Sequence, residues 1–201
     1  VEMARPTLKV GLVTVIISFV LVGITGDVIG KVMTEQQPMK MAAAEALYDT
    51  TDSAPFSILT VGTLDGSRSV FQIDIPTMLS FLATGDFGAT VKGVNDLEAE
   101  YDQTYGPGDY TPNIPLAYWS FRLMIGFGGI AFLLAIFTLW RTRKGRDLPK
   151  ARWFLPAMIS LPFMPLLANS FGWIFTETAR QPWAVFGLIK TADGVSAVVS
   201  A

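Results

Sequence analysis

The chain has 201 residues, 51% of them hydrophobic, with a mean hydropathy of +0.43 and a net charge of −2. That is too apolar for an ordinary water-soluble domain. The absence of Cys and His removes disulfides, thiolate chemistry and the commonest metal ligand and general base from this chain.

About 20 helical residues cross a hydrocarbon core of roughly 30 Å. The first stretch to qualify runs from Val10 to about Gly30, free of charge until Asp27. Its β-branched residues suit a helix in lipid, where backbone groups must bond internally. The small residues Gly23, Gly26 and Gly30 suggest close packing against another helix.

The segment 31–115 holds twelve carboxylates against Lys31, Lys40, Arg68 and Lys92. It reads as more than a loop. Pro38 followed by an alanine run predicts a short helix to about Tyr48. Phe56–Val61 and Ser69–Ile75 read as strands joined across the turn signal Asp65-Gly66. Thr77–Ala83 reads as a short helix lying on the membrane, and Tyr101–Pro115 as irregular. No internal repeat is visible.

The second span is Leu116–Trp140, with Arg122 as its one charge, and the third is Trp153–Thr176, with none. Pro156, Pro162 and Pro165 predict that the third is kinked and packed within a bundle. Between these two spans lie Arg141, Arg143, Lys144, Arg146, Lys150 and Arg152 against Asp147 alone. The positive-inside rule then places residues 1–9 and 141–152 in the cytoplasm, and 31–115 and the residues after 177 outside. A nucleic-acid patch is the poorer explanation of a basic loop between two spans. The expected fold class is an all-α membrane protein, a transmembrane helical bundle of three spans with a long extracytoplasmic loop. Its parts are 1–30, 31–115, 116–140, 141–152, 153–177 and 178–201.

Several side chains stand out as candidates for chemistry. Trp173, Glu177 and Arg180 fall on nearly one helical face at the edge of the third span, where ionisable groups are costly and usually functional. Glu177 is an iron ligand, a proton-transfer group, a substrate contact, or a solvated residue beyond the helix end; Arg180 and Trp183 also suit interface anchors. Met124 offers a thioether to haem iron, with Arg122 placed to pair with a propionate. The plain alternative is that Met124 packs and Arg122 snorkels. Lys40 and Glu45, five apart, make a poor ion pair within a helix. They either converge on a polar ligand head or belong to a solvated surface helix.

Four blocks occur together and in order: Gly26-Asp27; Lys40-Met41-Ala42-Ala43-Ala44-Glu45; Ser120-Phe121-Arg122-Leu123-Met124; and Glu177-Thr178-Ala179-Arg180-Gln181-Pro182-Trp183. In these the chain resembles subunit I of the bacterial cytochrome bd quinol oxidases, over essentially its whole length but only the later half of that subunit. The family usually has Gly where this chain has Ala179. The resemblance implies a nine-span subunit of which these are spans six to eight, with 31–115 as the shorter form of the quinol-binding loop. It implies that Lys40 and Glu45 bind and oxidise quinol. It implies that Met124 ligates the low-spin haem b558 and that Arg122 lies near that haem's propionates. Glu177 would ligate a high-spin haem, b595 in most members, with haem d as the other. Trp173 would stand between haems, with Arg180 as a propionate partner. The partners implied are ubiquinol or menaquinol, O2, the rest of subunit I, subunit II, small accessory subunits in some complexes, and membrane lipid, with no nucleic acid. The location implied is the bacterial plasma membrane. The missing histidines would belong to earlier spans, so the chain reads as a fragment. The rival reading is a non-redox multi-pass transporter or structural subunit in which Arg122, Glu177 and Arg180 hold an ion or neutralise one another.

Overall fold

A computed structural model of the protein describes residues 4–63 and 68–194. Its elements run α1 (Ala4–Gln36), α2 (Pro38–Glu45), β1 (Thr51–Asp52), β2 (Phe56–Gly62), β3 (Ser69–Ile75), α3 (Met78–Thr84), β4 (Thr90–Val91), α4 (Val94–Tyr105), α5 (Ile114–Thr142), α6 (Phe154–Ser160), α7 (Phe163–Ala179), β5 (Trp183–Val185) and β6 (Ile189–Lys190). The stretches Arg5–Gln36 and Ile114–Thr142 are each long and apolar enough to cross a membrane, and α6 with α7, bent by 50° at their junction, is a broken span or a re-entrant loop, which makes two or three crossings among the described residues. The expected helical membrane class holds. The bend falls at Leu161-Pro162, where Pro162 lacks the N–H that would continue the helix.

The contacts divide the chain into two units, Val1–Gly26 with Arg122–Gly172, and Asp27–Phe121 with Trp173–Ala201. In the first, Leu12, Ala131, Leu134, Ala135 and Leu161 form the core, flanked by a stack of Phe19 on Phe132 at 4.4 Å. Thr138 and Thr142 turn their hydroxyls back onto the carbonyls of Leu134 and Thr138, which satisfies them without a partner helix. Outside this core the helix faces are apolar and exposed, Val10, Leu133 and Leu155 among them. The glycines Gly23, Gly26 and Gly30 meet open space. The close packing expected of them is not made within this chain, because α1 buries little beyond Leu12.

The second unit carries a polar fold on an apolar core. Three two-stranded antiparallel sheets pair β1 with β4, β2 with β3, and β5 with β6. The hairpin reading of β2 and β3 is correct to within a residue; its Asp65-Gly66 turn lies outside the described residues. Tyr101–Tyr105, expected to be irregular, instead close α4. The reason is anchoring by side chains. Glu98 accepts hydrogen bonds from the Tyr110 amide and the Thr111 hydroxyl, and Asp102 accepts one from the Gly108 amide, so the glycine-rich stretch is held and helix continues up to it.

The buried element of this unit is α2. Met39, Met41, Ala42, Ala43, Ala44 and Glu45 are all buried, so the solvated surface helix is excluded. It packs against α4, whose start passes very close to the backbone that follows α2. A Cβ on Gly93 would lie 2.3 Å from the Asp49 carbonyl carbon and 2.5 Å from the Tyr48 oxygen. The helix ends at Ala46, which takes a left-handed conformation (φ 49°, ψ 41°) and returns its N–H to the Ala42 and Ala43 carbonyls. Gly93→Ala is expected to cost about 1–3 kcal/mol. Limited proteolysis between residues 49 and 93 should speed up in this variant, and an unchanged cleavage rate would count against the contact.

Candidate functional site

Three of the candidate residues meet at the junction of α2, the end of α7 and β5. α7 stops at Ala179, so Arg180 lies just beyond the helix. It still reaches back across an i,i+3 spacing, with Nη2 donating to Glu177 Oε2 at 2.6 Å. Its Nη1 approaches the Ala184 carbonyl at 3.5 Å, while its buried Nε has no partner among the described residues. Gln181 donates to the Glu177 carbonyl, capping the last turn of α7.

Lys40 enters from α2. Its Nζ lies 5.5 Å from the centre of the Phe175 ring. Burial lowers its pKa from 10.5, the Arg180 guanidinium lowers it further, and Glu177 offsets part of this. A cleft lined by Gln37, Met39, Lys40, Arg180, Gln181 and Trp183 opens here. It has room for about one water molecule.

Glu45 faces elsewhere. It is 4% exposed, and its Oε2 accepts from the Ser57 amide of β2 at 3.4 Å. Lys40 and Glu45 leave the same helix, Lys40 toward the Phe175 ring and Glu45 toward the Ser57 amide.

In the first unit Met124 lies on α5 with its sulfur against Gly172, where a Cβ would come within 2.9 Å of it. Arg122 is half-buried two residues earlier. Trp173 is 63% exposed and has no ring partner among the described residues. It shares the helix with Glu177 but does not join the Glu177–Arg180 pair. Trp183, considered as an interface anchor, is instead 6% exposed and stacks on Tyr110, with Tyr105 and Phe186 edge-on. Lys190 lies over the Tyr110 ring at 4.3 Å. Sequence reasoning passed over this aromatic cluster. It also passed over Ser57, Thr60 and Tyr118, which are buried together. The only available signal was polar residues recurring in an otherwise apolar strand.

In the first unit a thioether seated over a glycine, with a guanidinium two residues earlier, is chemistry that suits haem iron and its propionates. In the second, a carboxylate paired with a guanidinium is chemistry of the same kind. No described group of three or more His, Cys, Asp or Glu forms a metal centre.

Helical spans of this length with a folded polar segment between them define a multi-span membrane protein. A family model described as cytochrome bd terminal oxidase subunit I matches residues 1–201, and the chain belongs to that family. It is 43% identical over 181 residues, 90% of this chain, to the cytochrome bd ubiquinol oxidase subunit 1 of Bacillus subtilis (strain 168), covering 38% of that protein. It is 27% identical over 233 residues to the cytochrome bd-II ubiquinol oxidase subunit 1 of Escherichia coli (strain K12), covering 87% of this chain and 45% of that one. The structure of bd oxidase from Geobacillus thermodenitrificans is similar, with a TM-score of 0.78 and 30% identity, covering 96% of this chain and 42% of that one. The chain thus spans less than half the length of these relatives. Membership of an oxidase family leaves no support for the non-redox reading.

The lowered pKa of Lys40 means more neutral amine at a given pH. Acylation of Lys40, followed by mass spectrometry across a pH series, should be half-maximal below pH 10.5. A midpoint at or above that value would contradict the environment described.

Proposed function

We propose that this chain supplies three spans and the quinol-facing segment of a bacterial plasma-membrane quinol:oxygen oxidoreductase of the cytochrome bd type. The observation that carries the reading is α2: in a chain of this family, a buried helix presents the carboxylate of Glu45 at one end and the half-buried amine of Lys40 near the other. The substrate is ubiquinol or menaquinol, and oxygen is reduced to water elsewhere in the assembled enzyme. The remainder of subunit I and subunit II complete it.

Lys40 donates to a quinol or quinone oxygen from its half-buried position beside Phe175. Glu45, acceptor-only when ionised, takes a hydroxyl proton as general base. Met124 would hold the iron of the low-spin haem b558, with Arg122 on its propionates. Glu177 would ligate a high-spin haem, b595 or d, with Arg180 on its propionates. Trp173, exposed on α7, would stand between haems. When bound, the haems supply the electron acceptors and the oxygen-reducing centre. Glu177 is already paired with Arg180 at 2.6 Å, so the guanidinium orients it as an oxygen donor.

In the assembled oxidase, Met124→Ala should abolish the low-spin haem signal in the reduced-minus-oxidised spectrum; an unaltered spectrum would refute that ligand. Glu45→Gln should lower quinol turnover by roughly 100-fold or more with haem content intact. Wild-type turnover in that variant would refute Glu45 as the base.

A further inference from the structure

Behind Glu45 lies a buried set of hydroxyls to which catalysis so far assigns nothing. Ser57, Thr60 and Tyr118 are 3%, 2% and 2% exposed. Ser57 Oγ is 2.6 Å from Thr60 Oγ1 and 2.9 Å from Tyr118 Oη. Amide donors fix the surroundings. The Ser57 N–H points to Glu45 Oε2 at 3.4 Å, the Thr60 N–H to Tyr118 Oη at 2.5 Å, and the Gln72 amide to Thr60 Oγ1 at 3.5 Å. Gln72 is exposed on β3. The buried carboxylate of Glu45, held on the Ser57 N–H, thus adjoins the residue that begins the hydroxyl pair Ser57–Thr60, and that pair ends on the exposed Gln72, with Tyr118 closing the middle.

Holding a two-stranded hairpin onto a helix does not require this. Apolar side chains would do so without the penalty of burying hydroxyls. Each hydroxyl is both donor and acceptor and its hydrogen rotates, whereas the amides can only donate. Hydroxyls linked to one another and edged by fixed donors can reverse their hydrogen-bond direction as a unit. That property serves proton transfer.

We propose that Ser57 and Thr60, supported by Tyr118, form a proton relay that carries the proton taken up by Glu45 out to solvent beside Gln72. The proposal rests on Glu45 being the quinol base. In the transfer, the Glu45 carboxyl turns from the Ser57 N–H to the Oγ of the same residue, and its O–H bond breaks as an O–H bond forms there. The proton that Ser57 held passes to Thr60 Oγ1, and the one that Thr60 held passes to a solvent water that takes the place of the Gln72 amide on Thr60 Oγ1. Each hydroxyl ends with the single proton it began with, and rotation resets the chain. One proton leaves Glu45, one arrives in solvent, and no electron moves along this path. The quinol's electrons would leave separately, to the haem that Met124 would hold. Tyr118, in contact with both the Thr60 amide and Ser57, keeps the two oxygens at transfer distance. It is a positioning residue.

The test uses the assembled, haem-loaded oxidase carrying Thr60→Val, Thr60→Ser, Ser57→Ala or Tyr118→Phe. Haem spectra confirm assembly, and kcat, quinol KM and the solvent deuterium isotope effect on kcat are then measured. Thr60→Val and Ser57→Ala should each lower kcat roughly tenfold, short of the ~100-fold of direct acid–base catalysis. KM should hold and the isotope effect should grow. Thr60→Ser, which keeps the hydroxyl, should restore both. Tyr118→Phe, which preserves the ring, should give a smaller kcat loss in the same direction and serves if Thr60→Val fails to assemble. Wild-type kcat and isotope effect in Thr60→Val and Ser57→Ala would overturn the relay. So would equal damage from Thr60→Ser and Thr60→Val, which marks a packing role. Glu45→Gln separates the two readings: if it is impaired while the hydroxyl variants are normal, only the relay fails. If it turns over normally, the base and the relay fall together.

Discussion

Three consecutive alanines, Ala42, Ala43 and Ala44, are completely buried in α2, and the surrounding fold is built on how closely they let other elements approach. They share one buried cluster with Val94, Leu97 and Tyr101 of α4 and with Phe175, Ala179 and Trp183. Met41 points into a second cluster with Ala54, Leu79, Ala83 and Val91. A helix of eight residues has little stability of its own. Its order comes from being enclosed, and so does the placement of its two charged side chains.

Enclosure explains why Lys40 and Glu45 have different chemistry although they share one helix. Lys40 remains partly wet and sits in the field of a guanidinium and a carboxylate, with burial the main reason its proton is held weakly. Glu45 is turned inward at the point where Ala46 reverses the chain, and it accepts from a backbone amide of strand β2. The left-handed turn at a non-glycine residue costs about 1–2 kcal/mol, which the packing of Ala46, itself 3% exposed, must offset. The Tyr101 phenol nearby is pushed up to about 12 by burial, so it stays neutral and adds no charge.

The ion pair of Glu177 with Arg180 is of another kind. Both side chains are near 40% exposed, so the pair contributes little to stability. Its consequence is orientation: an i,i+3 pair across a helix end keeps the carboxylate aimed, even though α7 has stopped before Arg180. The Arg5–Asp147 pair, more exposed still, ties the N-terminal end of α1 to the basic loop with as little energetic weight.

Much was legible from the residues alone. Apolar runs about 20 residues long can only be spans, because hydrocarbon forces every backbone group to bond within its own helix. Prolines in the third run foretold a bend, since proline cannot supply the missing N–H. Alternation and a turn signal located the hairpin, and the spacing of Glu177 and Arg180 foretold their meeting. These are local consequences of pitch, length and hydrogen-bonding capacity. Local rules could not tell whether α2 lies in solvent or in a core, that α4 extends to Tyr105 because two carboxylates hold the loop after it, or that Trp183 is buried. Nor could they bring Ser57, Thr60 and Tyr118 together, since 58 residues separate Thr60 from Tyr118. Burial and long-range hydrogen bonding depend on which distant segment arrives opposite, and only the folded chain decides that.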